Sequence, residues 1–175
     1  MREEGRAGTR AIVVCPPIAD LGPVVPLRRR LDPLADVIPP HITLVFPFRD
    51  DLSDADLLEH LKGASAGIAP FPLGLAGIRG WEGEYLFLSV DEGRREIVEL
   101  HDRLYTGPLE RHLSTSREFV PHMTVGRIGD KGKFEAALRV TTDAEPRVST
   151  LVSALVVYRF SDDGPGTIVW DVTFG

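Results

Sequence analysis

The sequence predicts an α+β fold built of two pseudo-symmetric lobes, each an antiparallel sheet with flanking helices, with a cleft between them. Three observations carry that expectation. Segments with strand character and segments with helical spacing of apolar residues succeed one another along 175 residues. The order strand, helix, strand, helix, strand occurs twice, in halves of nearly equal length. Each half also writes Pro-His-aliphatic-Thr-aliphatic once, on the strand after its first helix: Pro40 to Leu44, then Pro121 to Val125.

An apolar share of 43% and a charged share of 26% suit an ordinary globular chain. The expected organisation is a flexible, charged tail over residues 1–9 followed by a single two-lobed domain over 10–175. The tail has no apolar stretch of the secretory kind. The longest apolar run, around Leu151 to Phe160, is interrupted by Ser153 and Arg159 and falls short of the roughly 20 residues that cross a bilayer. Neither a leader nor membrane attachment is expected. A single cysteine, Cys15, excludes an intrachain disulfide and fits a reducing, cytoplasmic setting. The net charge of −6 argues against an extended nucleic-acid surface, which needs a basic face, while leaving room for a small anionic ligand.

The elements follow in order. "RAIVVCPP" reads as a strand closed by Pro16 and Pro17, and a short helix is expected over Val24 to Leu31. "HITLVFPF" is the first motif strand. Ser53 caps a helix with Leu57, Leu58 and Leu61 on one side and Gly63 as its stop. "FPLGLAGIRGWE" and "YLFLSVD" are strands joined at Gly83. Ile97, Leu100 and Leu104 recur at helical spacing, and Gly107-Pro108 ends that helix. The second motif strand follows, then a short helix in "KGKFEAALRV". "VSTLVSALVVYRFS" and "TIVWDVTF" close the chain as two strands joined by the turn "DDGPG".

On a strand, residues two apart share a face. His41 and Thr43 therefore point one way while Ile42 and Leu44 anchor the other, and His122 and Thr124 repeat the arrangement over Met123 and Val125. Two such motifs among five histidines arise about twice in ten thousand shuffled chains of this composition, so the repetition is a signal rather than an accident. A lone His-x-Thr would read as a buried, hydrogen-bonded histidine; the matched pair favours a site. Zinc needs at least three Cys, His or carboxylate ligands, and neither motif has a partner at ligand spacing. No metal or other cofactor is expected. Two imidazoles with ordinary pKa near 6.5 can divide proton donation and acceptance at neutral pH, and two hydroxyls can hold phosphoryl oxygens. That combination suits in-line attack on a phosphodiester.

The paired "PHITL" and "PHMTV", with "YLFLSV" leading into "ELHDRLYTGPL" and then "FVPHMTVGRI", resemble the 2H phosphoesterase superfamily, which includes 2′-5′ RNA ligases and cyclic phosphodiesterases. The resemblance covers most of the chain and looks most like the small bacterial members. It implies a metal-independent phosphodiesterase acting on a 2′,3′-cyclic phosphate or related 2′-linked ester of a nucleotide or short RNA end. It also implies catalytic roles for His41, Thr43, His122 and Thr124, with His122 as base, His41 as acid and the threonines on the phosphate. The absence of a basic surface points to small substrates. A non-catalytic nucleotide- or RNA-end-binding module and a reversible 2′-5′ RNA ligase are the alternatives.

Tyr158 and Arg159 are candidate substrate-binding residues; being adjacent on a strand, at most one lines the cleft. Trp81 and Trp170 read as core or rim rather than base-stacking residues. Arg28, Arg29 and Arg30 read as a solvated helix face, with a phosphate-recruiting lip as the sharper idea. His60, His101 and His112 read as surface or structural, and Cys15 as a buried, inert thiol.

Overall fold

The computed structural model describes residues 8–161 and 166–175. The elements are β1 (Arg10–Val14), α1 (Val24–Leu31), β2 (Ile42–Phe48), α2 (Asp54–Ser65), β3 (Phe71–Trp81), β4 (Tyr85–Val90), α3 (Arg94–Leu104), β5 (His122–Arg127), α4 (Lys131–Asp143), β6 (Val148–Val152), β7 (Ala154–Arg159) and β8 (Thr167–Thr173). Short 3₁₀ turns occupy Ile18–Asp20 and Gly107–His112. Most of the expected tail, residues 1–7, and all but the last residue of the expected turn "DDGPG" lie outside the described residues. Thr9 is tied to the sheet, its carbonyl accepting from Phe160 N at 2.8 Å.

The local signals act as expected. Ser53 Oγ accepts from Asp56 N at 3.1 Å and caps α2. Asp130 does the same for α4, accepting from Lys133 N at 2.8 Å. Gly93 opens α3 with φ 77°, where a side chain would be strained. One expectation fails. The run 148–161 is two strands, not one: the chain breaks at Ser153, and β6 and β7 go to opposite parts of the sheet.

Every strand pairing is antiparallel, and the order is β6-β3-β4-β5-β2-β1-β7-β8. The sheet is two blocks of four, β5-β4-β3-β6 and β2-β1-β7-β8, and the motif strands β2 and β5 meet where the blocks join. They are paired only through Ile42 and Met123. The blocks do not coincide with the sequence halves, since β3 sits beside β4 and β7 beside β1. The helices cross over too: α1 packs on β5 and α3 on β2, so each motif strand is backed by the other half's helix. At Gly126 a Cβ would come within 3.1 Å of Leu31, so the close approach of α1 to β5 depends on glycine there.

The core confirms the alternation. Ile42, Leu44, Met123 and Val125 are all fully buried, whereas His41, Thr43, His122 and Thr124 are half-buried on the other face. Burying each such apolar side chain contributes about 1.5–3 kcal/mol. This fixes which way the polar pairs point, because a one-residue slip would turn both motifs inward. No helix among the described residues is long and apolar enough to cross a membrane.

Candidate active site

The register of the joining pair places the motifs. With Ile42 opposite Met123, an antiparallel pair sets Thr43 across from His122 and His41 across from Thr124. The four sequence-predicted residues are thus brought together as a crossed pair of His-Thr couples. Thr43 borders both neighbouring hollows. One is a cavity of about 570 Å³ that His122 and Thr124 also line; the other is a hollow of about 60 Å³ that His41 lines with Tyr158 and Cys15.

Each imidazole is oriented by the same bond. His41 Nδ1 donates to the Pro39 carbonyl at 2.8 Å, and His122 Nδ1 donates to the Val120 carbonyl at 2.6 Å. A carbonyl only accepts, so Nδ1 carries the proton in the neutral ring and Nε2 is left as the working nitrogen. Nε2 accepts a proton when the ring is neutral and gives one when it is charged. The same bond, to the carbonyl two residues earlier, gives both rings the same neutral tautomer.

Burial lowers the pKa of both rings from the ordinary 6.5. For His41 the carbonyl bond opposes that trend, Arg28 adds to it and Asp32 works against it. For His122 the Val120 carbonyl opposes burial, and the charge of His41 lowers it further. The charge of one imidazole thus reaches the other across the strand junction, as the smallest of the three influences on His122.

The larger cavity has aromatic walls. Phe87 stacks on His122 at 3.6 Å and 19°, with Trp81 stacked on Phe87 at 5.8 Å. Phe119 stacks on His101 at 3.8 Å and 8°, and Tyr105 meets His101 edge-on at 4.9 Å. Arg117, the one guanidinium among the described residues of the lining, is paired with Glu82 at 3.0 Å, and Glu118 also faces the cavity. Cavities of this size with convergent polar groups commonly hold small ligands. Among the described residues, no three His, Cys, Asp or Glu side chains gather to hold a metal ion.

Tyr158 is buried in the wall of the smaller hollow, its hydroxyl donating to the Val37 carbonyl at 3.3 Å. Arg159 points elsewhere and makes a two-pronged pair with Asp54 at 2.9 and 3.0 Å, so at most one of the two adjacent residues reaches the site. Arg28 does not join a solvated basic face. It is 3% exposed, bonded to Asp32 at 2.8 and 3.1 Å and to the Ile38 carbonyl at 3.0 Å, because the chain folds back over it; Arg29 and Arg30 stay exposed. Cys15 is half-buried in the wall of the smaller hollow rather than fully buried, and burial pushes its thiol up to about 11, which favours the protonated thiol at neutral pH. His60 bonds the Leu104 carbonyl and His112 bonds Asp50, both structural as expected. Trp81 is a rim residue, 37% exposed, and Trp170 packs against the core. Sequence reasoning missed His101, Tyr105, Phe87 and Phe119 as cavity walls. Four-residue spacing puts His101 and Tyr105 on the same side of the chain but does not say what that side meets.

The family described as the 2′-5′ RNA ligase superfamily matches residues 16–164. The chain belongs to the 2′-5′ RNA ligase superfamily. A relative from Halalkalibacterium halodurans is 33% identical over 105 residues, and one from Bacillus pumilus is 34% identical over 103; both carry the name "Putative phosphoesterase". Each alignment covers 57% of this chain and 58% of the relative, so the match spans less than two thirds of those proteins. In fold, Escherichia coli LigT complexed with 3′-AMP superposes with a TM-score of 0.68 at 18% identity, covering 95% of this chain and 98% of LigT. A Thermus thermophilus protein does so with 0.65 at 18%, covering 95% and 97%. These superpositions show the same mixed fold around an antiparallel sheet.

Proposed function

We propose that this superfamily member is a metal-independent phosphodiesterase that hydrolyses a 2′,3′-cyclic phosphate, or a related 2′-linked ester, of a nucleotide or short RNA end. The observation that carries this is the crossed pair of His-Thr couples, each imidazole fixed by a backbone carbonyl so that its Nε2 is free. The names of the two bacterial relatives support phosphoester chemistry, and the LigT structures with 3′-AMP, ATP and NADP⁺ support a nucleotide-sized ligand.

In this reading the phosphate sits over the junction of β2 and β5, its non-bridging oxygens held by the Thr43 and Thr124 hydroxyls. Neutral His122, which borders the larger cavity, takes a proton from the attacking water through Nε2. His41, charged, gives its Nε2 proton to the leaving ribose oxygen. Mutual repulsion of the two rings favours the state with a single proton, which is the state the reaction needs. The proton arrangement is reversed at the end of each turnover and restored by exchange with solvent. Tyr158 walls the His41 side, whereas Arg159, committed to Asp54, serves the sheet. Among the described residues of the lining, Arg117 is paired with Glu82, which favours a small substrate over an extended polyanion.

The test is hydrolysis of a panel of 2′,3′-cyclic nucleotides and 2′-5′ dinucleotides with excess EDTA, with products identified by NMR. Turnover that persists in EDTA supports the proposal. Tight binding without turnover across the panel would favour a binding module, and activity that EDTA abolishes would overturn metal independence.

A further inference from the structure

The larger cavity contains an imidazole that the two-histidine reaction does not use. His101 is 7% exposed and lines the cavity together with Tyr105, one helical turn further on. One face of its ring is covered by Phe119 at 3.8 Å, and its two nitrogens bond polar groups in the ring plane. On that edge, Nδ1 donates to Asp102 Oδ1 at 2.9 Å. A carboxylate accepts and does not donate, so it holds the proton of the neutral ring on Nδ1 and leaves Nε2 a bare acceptor. Nε2 has no protein partner among the described residues. Tyr105 supplies the complement: its oxygen accepts from Phe46 N at 3.1 Å, and its own O–H is free to donate.

We propose that His101 and Tyr105 form a subsite for the edge of a flat heteroaromatic ring. His101 Nε2 accepts a hydrogen bond from an N–H on that ring, and the Tyr105 hydroxyl donates to a neighbouring ring acceptor. The ligand class is a nucleobase-like ring bearing an exocyclic amino group, joined to the phosphate that the His-Thr couples hold. The subsite rests on the proposed phosphodiester reading for its phosphate end, while its own signature is selectivity for the amino group. Asp102 acts as a positioning residue, because it sets which nitrogen of His101 is bare.

The experiment measures binding without turnover. Adenosine 3′-phosphate and the 3′-phosphate of unsubstituted purine riboside, which lacks only the amino group, are titrated calorimetrically into the full chain. The wild type is expected to bind the amino-bearing ligand about tenfold more tightly. His101→Phe keeps an aromatic ring against Phe119 but has no acceptor, so the preference is expected to fall to about one. Asp102→Asn, at a position whose side chain is 70% exposed, leaves the packing alone and is expected to weaken the preference by freeing the tautomer. Equal binding of both ligands by the wild type, or an unchanged preference in His101→Phe, would overturn the proposal, since a merely structural His101 predicts the latter. Because the readout needs no catalysis, it remains interpretable if His41 and His122 turn out not to catalyse hydrolysis.

Discussion

The two motif strands carry the same five-residue pattern in different surroundings. Just ahead of β2, His41 faces a hollow of about 60 Å³ that Tyr158 and Cys15 also line; at the start of β5, His122 faces a cavity of about 570 Å³. The segments that supply their orienting carbonyls are pinned differently. Ahead of His41, Arg28 bonds the Ile38 carbonyl while held by Asp32, so a buried ion pair fixes the approach to Pro39. Ahead of His122, Phe119 is clamped by stacking on His101, which fixes the approach to Val120. Both strands keep a histidine whose Nδ1 is bonded to the carbonyl two residues earlier, two residues ahead of a threonine, while the supports differ.

Removing either imidazole is the most severe way to break the symmetry. His122→Ala and His41→Ala are each expected to reduce turnover of a cyclic nucleotide by about 10²- to 10⁴-fold, with unchanged circular dichroism. Comparable losses mark two partners of one reaction; a loss confined to one side would make the other imidazole a scaffold.

The supports come next. Arg28→Ala strands the buried Asp32 carboxylate and frees the Ile38 carbonyl, so denaturant unfolding is expected to show a loss of about 3–5 kcal/mol. A change below about 1 kcal/mol would show that the ion pair is not what holds the His41 approach.

The hydroxyls have smaller effects. Thr43→Val and Thr124→Val each remove one hydrogen bond to a charged oxygen, with an expected drop in kcat/KM of about 10- to 100-fold. Thr43, which borders both hollows, is expected to show the larger drop.

The pH dependence follows from the lowered pKa of both rings. The singly protonated pair exists only over a window displaced to the acid side of 6.5, so kcat/KM is expected to be bell-shaped with its maximum there. An optimum on the alkaline side would contradict it. Stability has its own sign. The unfolded rings protonate near 6.5 while the folded rings resist, so the unfolded state binds more protons as pH falls and stability declines from 6.5 downward. The smallest expected effect is that of Phe87→Leu, which uncovers one face of His122. Its pKa is expected to rise toward 6.5 by NMR titration with at most a few-fold change in rate, leaving His41 nearly unmoved.

The His-Thr pairs were legible because strand periodicity is local: alternation alone says that Ile42 and Met123 go inward and the histidines do not. Ser53 and the helical spacing of Ile97, Leu100 and Leu104 were equally local. What escaped the sequence depends on contacts far apart along the chain. Nothing near Arg28 announces that the loop to Pro40 will fold over it. Ser153 is an ordinary residue in an apolar run, and its role as a break appears only when β6 pairs with β3 while β7 pairs with β1. His101 and Tyr105 became cavity walls because α3 packs on the other half's strand, an exchange that no spacing rule encodes.

In the proposed reaction, two imidazoles from the two halves act as one unit on a single phosphorus centre. A double-mutant cycle tests it most directly: kcat/KM for a 2′,3′-cyclic nucleotide in EDTA, measured for the wild type, His41→Ala, His122→Ala and the double variant. Strong non-additivity is expected, with each single variant falling nearly to the level of the double. Losses that multiply independently, or a single variant that retains full activity, would contradict it.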